Sequence, residues 1–114
     1  MEVKEVVSIL NAKVICGKQY LDKSVDFGFA SDLMSDVLTL DADNILLITG
    51  LSNLQTIRTL EMSDICVVIL ARDKKASKGM IELAIESDLL IIETEKSMFK
   101  TAGLLFEAGL KSVY

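Results

Sequence analysis

Residues 45–70 read ILLITGLSNLQTIRTLEMSDICVVIL, and three segments are legible in them. The run Ile45-Leu46-Leu47-Ile48 into Thr49-Gly50 has no polar alternation and is too short for a helix, as expected of a strand covered on both faces of a parallel sheet. Leu54, Ile57 and Leu60 then recur at helical spacing, and Val67-Val68-Ile69-Leu70 repeats the first pattern. Strand, helix and strand in that order make a right-handed βαβ unit. The fold class is therefore α/β.

The alternation continues downstream. Strand 66–70 leads to helix 77–87 with the stripe Met80, Ile81 and Ala84. Strand 89–93 leads to helix 97–108 with the stripe Met98, Phe99, Ala102, Leu105 and Phe106. Upstream, Val3, Val6, Val7 and Leu10 fall at i, i+3, i+4 and i+7, an amphipathic helix. A short apolar strand over 12–16 is closed by Gly17. Residues 25–30 alternate, so Val25, Phe27 and Phe29 share one face and Asp26, Gly28 and Ala30 the other. That second face is nearly bare of side chain, which invites close approach of another group. Ser31 caps a helix over 31–38 with Leu33, Met34, Val37 and Leu38 turned inward. With helix 53–63 between the first two parallel strands, the expectation is one small layered α/β/α domain spanning residues 1–114. Its sheet is largely parallel with about five strands.

Composition narrows the function. The chain has 114 residues, 51% of them hydrophobic and none proline. Its mean hydropathy of +0.44 implies apolar surface beyond the needs of one core, which a homo-oligomer would cover. No apolar run approaches the ~18 residues of a membrane span. Met1-Glu2-Val3-Lys4-Glu5 lacks the make-up of a signal sequence, so a cytoplasmic protein without membrane partners is expected. The net charge of -5 argues against nucleic acid, which demands clustered Lys and Arg. Histidine is absent, which removes histidine acid–base chemistry and histidine-based zinc sites. Cys16 and Cys66, each read inside a strand, are expected to be reduced thiols, with a disulfide as the alternative, and cannot build a four-thiolate metal site. No catalytic constellation, resident metal or cofactor is expected.

In α/β sheets, ligands bind beyond the carboxyl ends of the strands. Three strand-to-helix junctions are candidates here. At the first, Ser52 and Gln55 have capping-box spacing, and neither nucleotide-binding glycine fingerprint is present. Thr49-Gly50 is thus first an architectural corner, and otherwise one wall of an anion site. The second, Ala71-Arg72-Asp73-Lys74-Lys75-Ala76-Ser77, gathers three basic residues at a helix start, as a solvated loop or a positive pocket. The third, Glu93-Thr94-Glu95-Lys96, brings two acids to the same edge. Asp32 and Asp36 form an i, i+4 carboxylate pair, Arg58 and Glu61 an i, i+3 surface pair. Met34, Met62, Met80 and Met98 read as core filler.

The segments ILNAKVICG, GFASDLMSDVL, LLITGLSNLQTIRTLEMSDI and MFKTAGLL, in that order and spacing, resemble the DRTGG domain family, particularly its short stand-alone members. The resemblance implies a small regulatory α/β module, similar in fold to the N-terminal domain of HPr kinase/phosphorylase. In larger family members the domain lies inside phosphate acetyltransferases and CBS-containing pyrophosphatases and contributes to subunit contact. One departure stands out. Where the family places Thr-Gly-Gly after the second parallel strand, this chain has Ala71-Arg72-Asp73, and its own Thr-Gly is Thr49-Gly50, one strand earlier. Any role of those glycines does not carry over.

Two functional readings follow. The first is a non-catalytic homodimer that regulates or scaffolds a protein partner, with its interface on Phe27, Gly28, Phe29, Ala30, Asp32 and Met34. The second is a sensor that binds a nucleotide or other phosphorylated metabolite at Thr49, Gly50, Ser52, Arg72, Lys74, Ser77 and Thr94.

Overall fold

Strand β3 (Ile45–Thr49) is buried at every position, and its residues divide between two cores. Ile45 and Leu47 point to one side of the sheet, Leu46 and Ile48 to the other. The computed structural model, which describes residues 1–114, repeats this division in β4 (Val67–Leu70) and β5 (Leu90–Glu93). The continuous apolar runs exist because helices cover both faces. On one side lie α2 (Met34–Val37), α3 (Leu54–Met62) and α4 (Lys78–Glu86), packed through Val37, Ile57, Leu60, Met80 and Ala84. On the other lie α1 (Val3–Leu10) and α5 (Met98–Glu107), packed through Val3, Val6, Leu10 and Leu105.

The sheet is completed by β1 (Lys13–Cys16), β2 (Phe27–Ala30) and β6 (Lys111–Ser112), in the order β1-β5-β4-β3-β2-β6. Strands β2 through β6 are mutually parallel, and β1 alone runs antiparallel, against β5. The connections after β2, β3 and β4 run over the first face, while the connection after β5 crosses to the second through α5. At the carboxyl edge the loops after β4 and β5 therefore diverge, the geometry that opens a crevice in doubly wound sheets. Gly17 turns the chain out of β1 at φ 85°, and a Cβ there would stand 2.7 Å from the Leu90 Cα, so no larger residue fits.

Several expectations need correction. The sheet has six strands rather than about five, because β6 was not foreseen. Strand β2 begins at Phe27, and Val25 joins the α1/α5 core while Phe27 and Phe29 pack on the opposite side. The helix expected over 31–38 shortens to Met34–Val37, which leaves Leu33 and Leu38 exposed and places Asp32 in a loop. Met34 and Met80 are core residues, but Met62 is 68% exposed. In α5 only part of the predicted stripe is inward, since Phe99 and Phe106 are 89% and 67% exposed. The bare face of Gly28 is filled by the chain's own Leu110, whose Cδ2 would lie 2.9 Å from an added Cβ. Both cysteines are free, and Cys66 precedes β4 rather than lying within it.

Candidate functional site

The carboxyl edge of the sheet is knitted together by its own groups. Thr49, fully buried at the end of β3, donates its hydroxyl to Asp32 Oδ1 (3.0 Å) and accepts the Leu51 N–H (3.1 Å). The Gly50 N–H donates to the same Asp32 oxygen (2.6 Å), and Arg72 Nη2 donates to Asp32 Oδ2 (3.2 Å). Donors from β3 and from the β4–α4 loop thus converge on one carboxylate of the β2–α2 loop. The sequence had placed Asp32 on a helix face beside Asp36, where this role could not be read.

Two local features put the Arg72 guanidinium there. Gly50 leaves the space, since a Cβ on it would meet Nη2, Nε and Cζ of Arg72. Arg72 and Asp73 both occupy the left-handed region, at φ 60° and 61°. These are the positions where the resemblance places the family's glycines, which adopt such backbone freely. For other residues it costs about 1 kcal/mol or more each. The conformation lets the Arg72 N–H reach the Lys96 carbonyl (2.8 Å) and the Asp73 N–H the Thr94 carbonyl (3.0 Å). These bonds stitch the diverging loops after β4 and β5 together.

The other predicted site residues are engaged elsewhere. Ser52 donates to the Lys75 carbonyl and to Met80 Sδ (3.5 Å) and caps nothing. The N-cap of α3 is Asn53, which accepts the Thr56 N–H (3.1 Å), so the expected Ser52/Gln55 capping box is replaced one residue on. Ser77 caps α4 through the Met80 N–H and Ser97 caps α5 through the Lys100 N–H. Thr94 is buried and accepts the Lys96 N–H (3.3 Å). Lys74 is exposed and joins no ion pair. Buried Glu93 accepts the Ala76 N–H (2.8 Å) and lies 3.7 Å from Lys75, an acid the sequence showed without its role. The Asp73 carboxylate, at 3.0 Å, raises the Lys75 pKa above its ordinary value. Lys96 spends its ammonium on the Leu10 carbonyl at the end of α1 (2.7 Å). Glu61 accepts from Ser87 (2.8 Å) and forms no pair with Arg58. Nowhere do three acids or thiols converge as metal ligands would.

A second region is chemically opposite. Between α5 and the β2–β6 edge runs an apolar groove of about 410 Å³, bounded by Phe29, Phe99, Phe106, Leu110 and Tyr114. Strand β6 pairs only with Phe27 and Gly28, so that edge of Phe29 and Ala30 carries no strand partner. Tyr114 leans on Phe29 with ring centroids 6.0 Å apart and is itself 89% exposed. Of the residues predicted for an interface, Phe29, Gly28 and Ala30 line this groove, and Phe27 packs against the opposite core. Met34 is buried, and Asp32 belongs to the Arg72 cluster.

A family model for the DRTGG domain matches residues 5–108. The chain belongs to the DRTGG domain family. Three solved chains match the fold of this DRTGG domain. One is the crystal structure of the CBS and DRTGG domains of the regulatory region of Clostridium perfringens pyrophosphatase, complexed with the activator diadenosine tetraphosphate. The likeness has a TM-score of 0.72 at 16% identity and covers 91% of this chain and 45% of that one. This DRTGG domain therefore spans less than half of that regulatory-region chain. No curated protein matches it in sequence. No helix is long and apolar enough to cross a membrane.

Proposed function

We propose that this DRTGG domain is a regulatory module without chemistry of its own that works as a homodimer. The observation that carries the reading is the groove beside α5. Phe99 and Phe106 spend most of their surface in water although the helix that bears them packs on the sheet. Exposed aromatic side chains grouped beside an unpaired strand edge are a self-association surface, and burying each is worth about 1.5–3 kcal/mol. Sedimentation at micromolar concentration should give a dimer. A monomer at 100 µM would sink the reading.

A second reading, a sensor of a phosphorylated small molecule, is favoured by the convergence of Thr49, Gly50 and Arg72 on one anionic group. The nucleotide activator held by the pyrophosphatase regulatory region supports that ligand class. A thermal-shift series of nucleotides and acyl phosphates, with and without Mg²⁺, tests it. A ligand at ~100 times its dissociation constant adds about 2.7 kcal/mol of stability.

A further inference from the structure

We infer that Asp32 is the resident occupant of an anion cradle, and that the terminal phosphate of a ligand takes its place; the inference rests on the sensor reading. The donors and the acceptor differ in how they are held. Thr49 and Gly50 are buried at the end of a central strand, so their O–H and N–H keep their positions. Asp32 stands on the loop between β2 and the single-turn α2, with 44% of its side chain exposed. A fixed donor set facing a loop-borne carboxylate is built for exchange of the acceptor.

Arg72 points the same way. It meets Asp32 through Nη2 alone, where a guanidinium offers five N–H donors and a bidentate fork. A phosphate dianion brings more charge and more acceptor oxygens than a carboxylate and can use that fork. The left-handed backbone at Arg72 and the missing side chain at Gly50 both serve to seat the guanidinium where a Gly50 side chain would otherwise stand. An ion pair exposed to this degree returns too little stability to account for both. When phosphate enters, Asp32 is released to water. Ala30, two positions earlier, lines the groove beside α5, so the β2–α2 loop links the cradle to that surface.

The test titrates inorganic phosphate, then AMP against adenosine, into the wild-type chain and Asp32→Asn at constant ionic strength. The readouts are the thermal midpoint and the Gly50 amide resonance. Asp32→Asn removes the competing charge yet keeps an acceptor for the Gly50 N–H, and should bind phosphate about fivefold tighter than wild type. AMP should follow phosphate and adenosine should do nothing. Arg72→Gln should abolish the response in either background. Asp32→Ser serves as the second variant should the asparagine disturb folding. Equal affinity in wild type and both Asp32 variants would overturn the exchange while leaving the sensor reading standing. No phosphate response in any of them would overturn both.

Discussion

The carboxyl end and the flank of strand β2 show opposite ways of treating surface. Beyond its carboxyl end, Asp32, Thr49, Gly50 and Arg72 satisfy one another within the chain. Along its flank, Phe99 and Phe106 are left largely in water, and Tyr114 leans on Phe29 with most of its own surface exposed. Polar groups can be answered one at a time by a side chain on the next loop. Apolar area can be answered only by comparable area, which this domain has already spent on its two cores. The polar edge is therefore a place of exchange, the groove a place of addition.

The sharpest break of this contrast is Phe106→Asp, which puts a charge in the groove. It should cost at least 100-fold in dimer affinity, about 2.7 kcal/mol, in sedimentation equilibrium while the melting of the monomer changes little. If dimerisation survives, the groove is not the association surface. Next is Gly17→Ala, which drives a methyl against the Leu90 backbone at a left-handed φ of 85°. Overpacking of this kind costs about 1–3 kcal/mol, read from urea unfolding. At the polar edge the effects shrink. Asn53→Ala removes the α3 cap and should cost about 1 kcal/mol, whereas Gln55→Ala should change nothing measurable by the same assay. Smallest is Arg72→Gly, where relief of the left-handed backbone, about 1 kcal/mol, offsets loss of an exposed ion pair worth no more than that. Its melting midpoint should stay near the wild type even as phosphate binding disappears.

The same contrast divides what could be read from residues alone. Strands β3, β4 and β5 and their helices were legible because both-face burial writes an unbroken apolar run, and amphipathic helices write a stripe. Strand β6 was not, since Lys111 and Ser112 are both exposed and carry no pattern. The antiparallel direction of β1 depends on where β5 lies and is written nowhere in Lys13–Cys16. Periodicity found the stripe of α5 but could not say what its two edges meet, so Phe99 and Phe106 were assigned to a core that ends before them. Of the edge cluster, Thr49, Gly50 and Arg72 were foreseen from their place after parallel strands. Asp32 was not, because its meaning comes from a residue forty positions away. Ser52 and Asn53 are adjacent good caps, and only the extended backbone of Asn53 decides between them.

The pairing of β2 with β6, Phe27 beside Lys111, also sets an order of events during synthesis. Everything from α1 to β5 leaves the ribosome before α5 and β6, and each βαβ closure from β2 to β5 spans a short length of chain. The second layer has only α1 to offer at that stage, so the sheet face over β2 and β3 that α5 packs on stays uncovered until α5 and β6 arrive. Long closures are the slow ones, so that half-covered sheet is the species through which the nascent chain passes and the one open to misassociation. Deleting residues 109–114 would therefore be felt in soluble yield before it is felt in the spectrum of the folded domain.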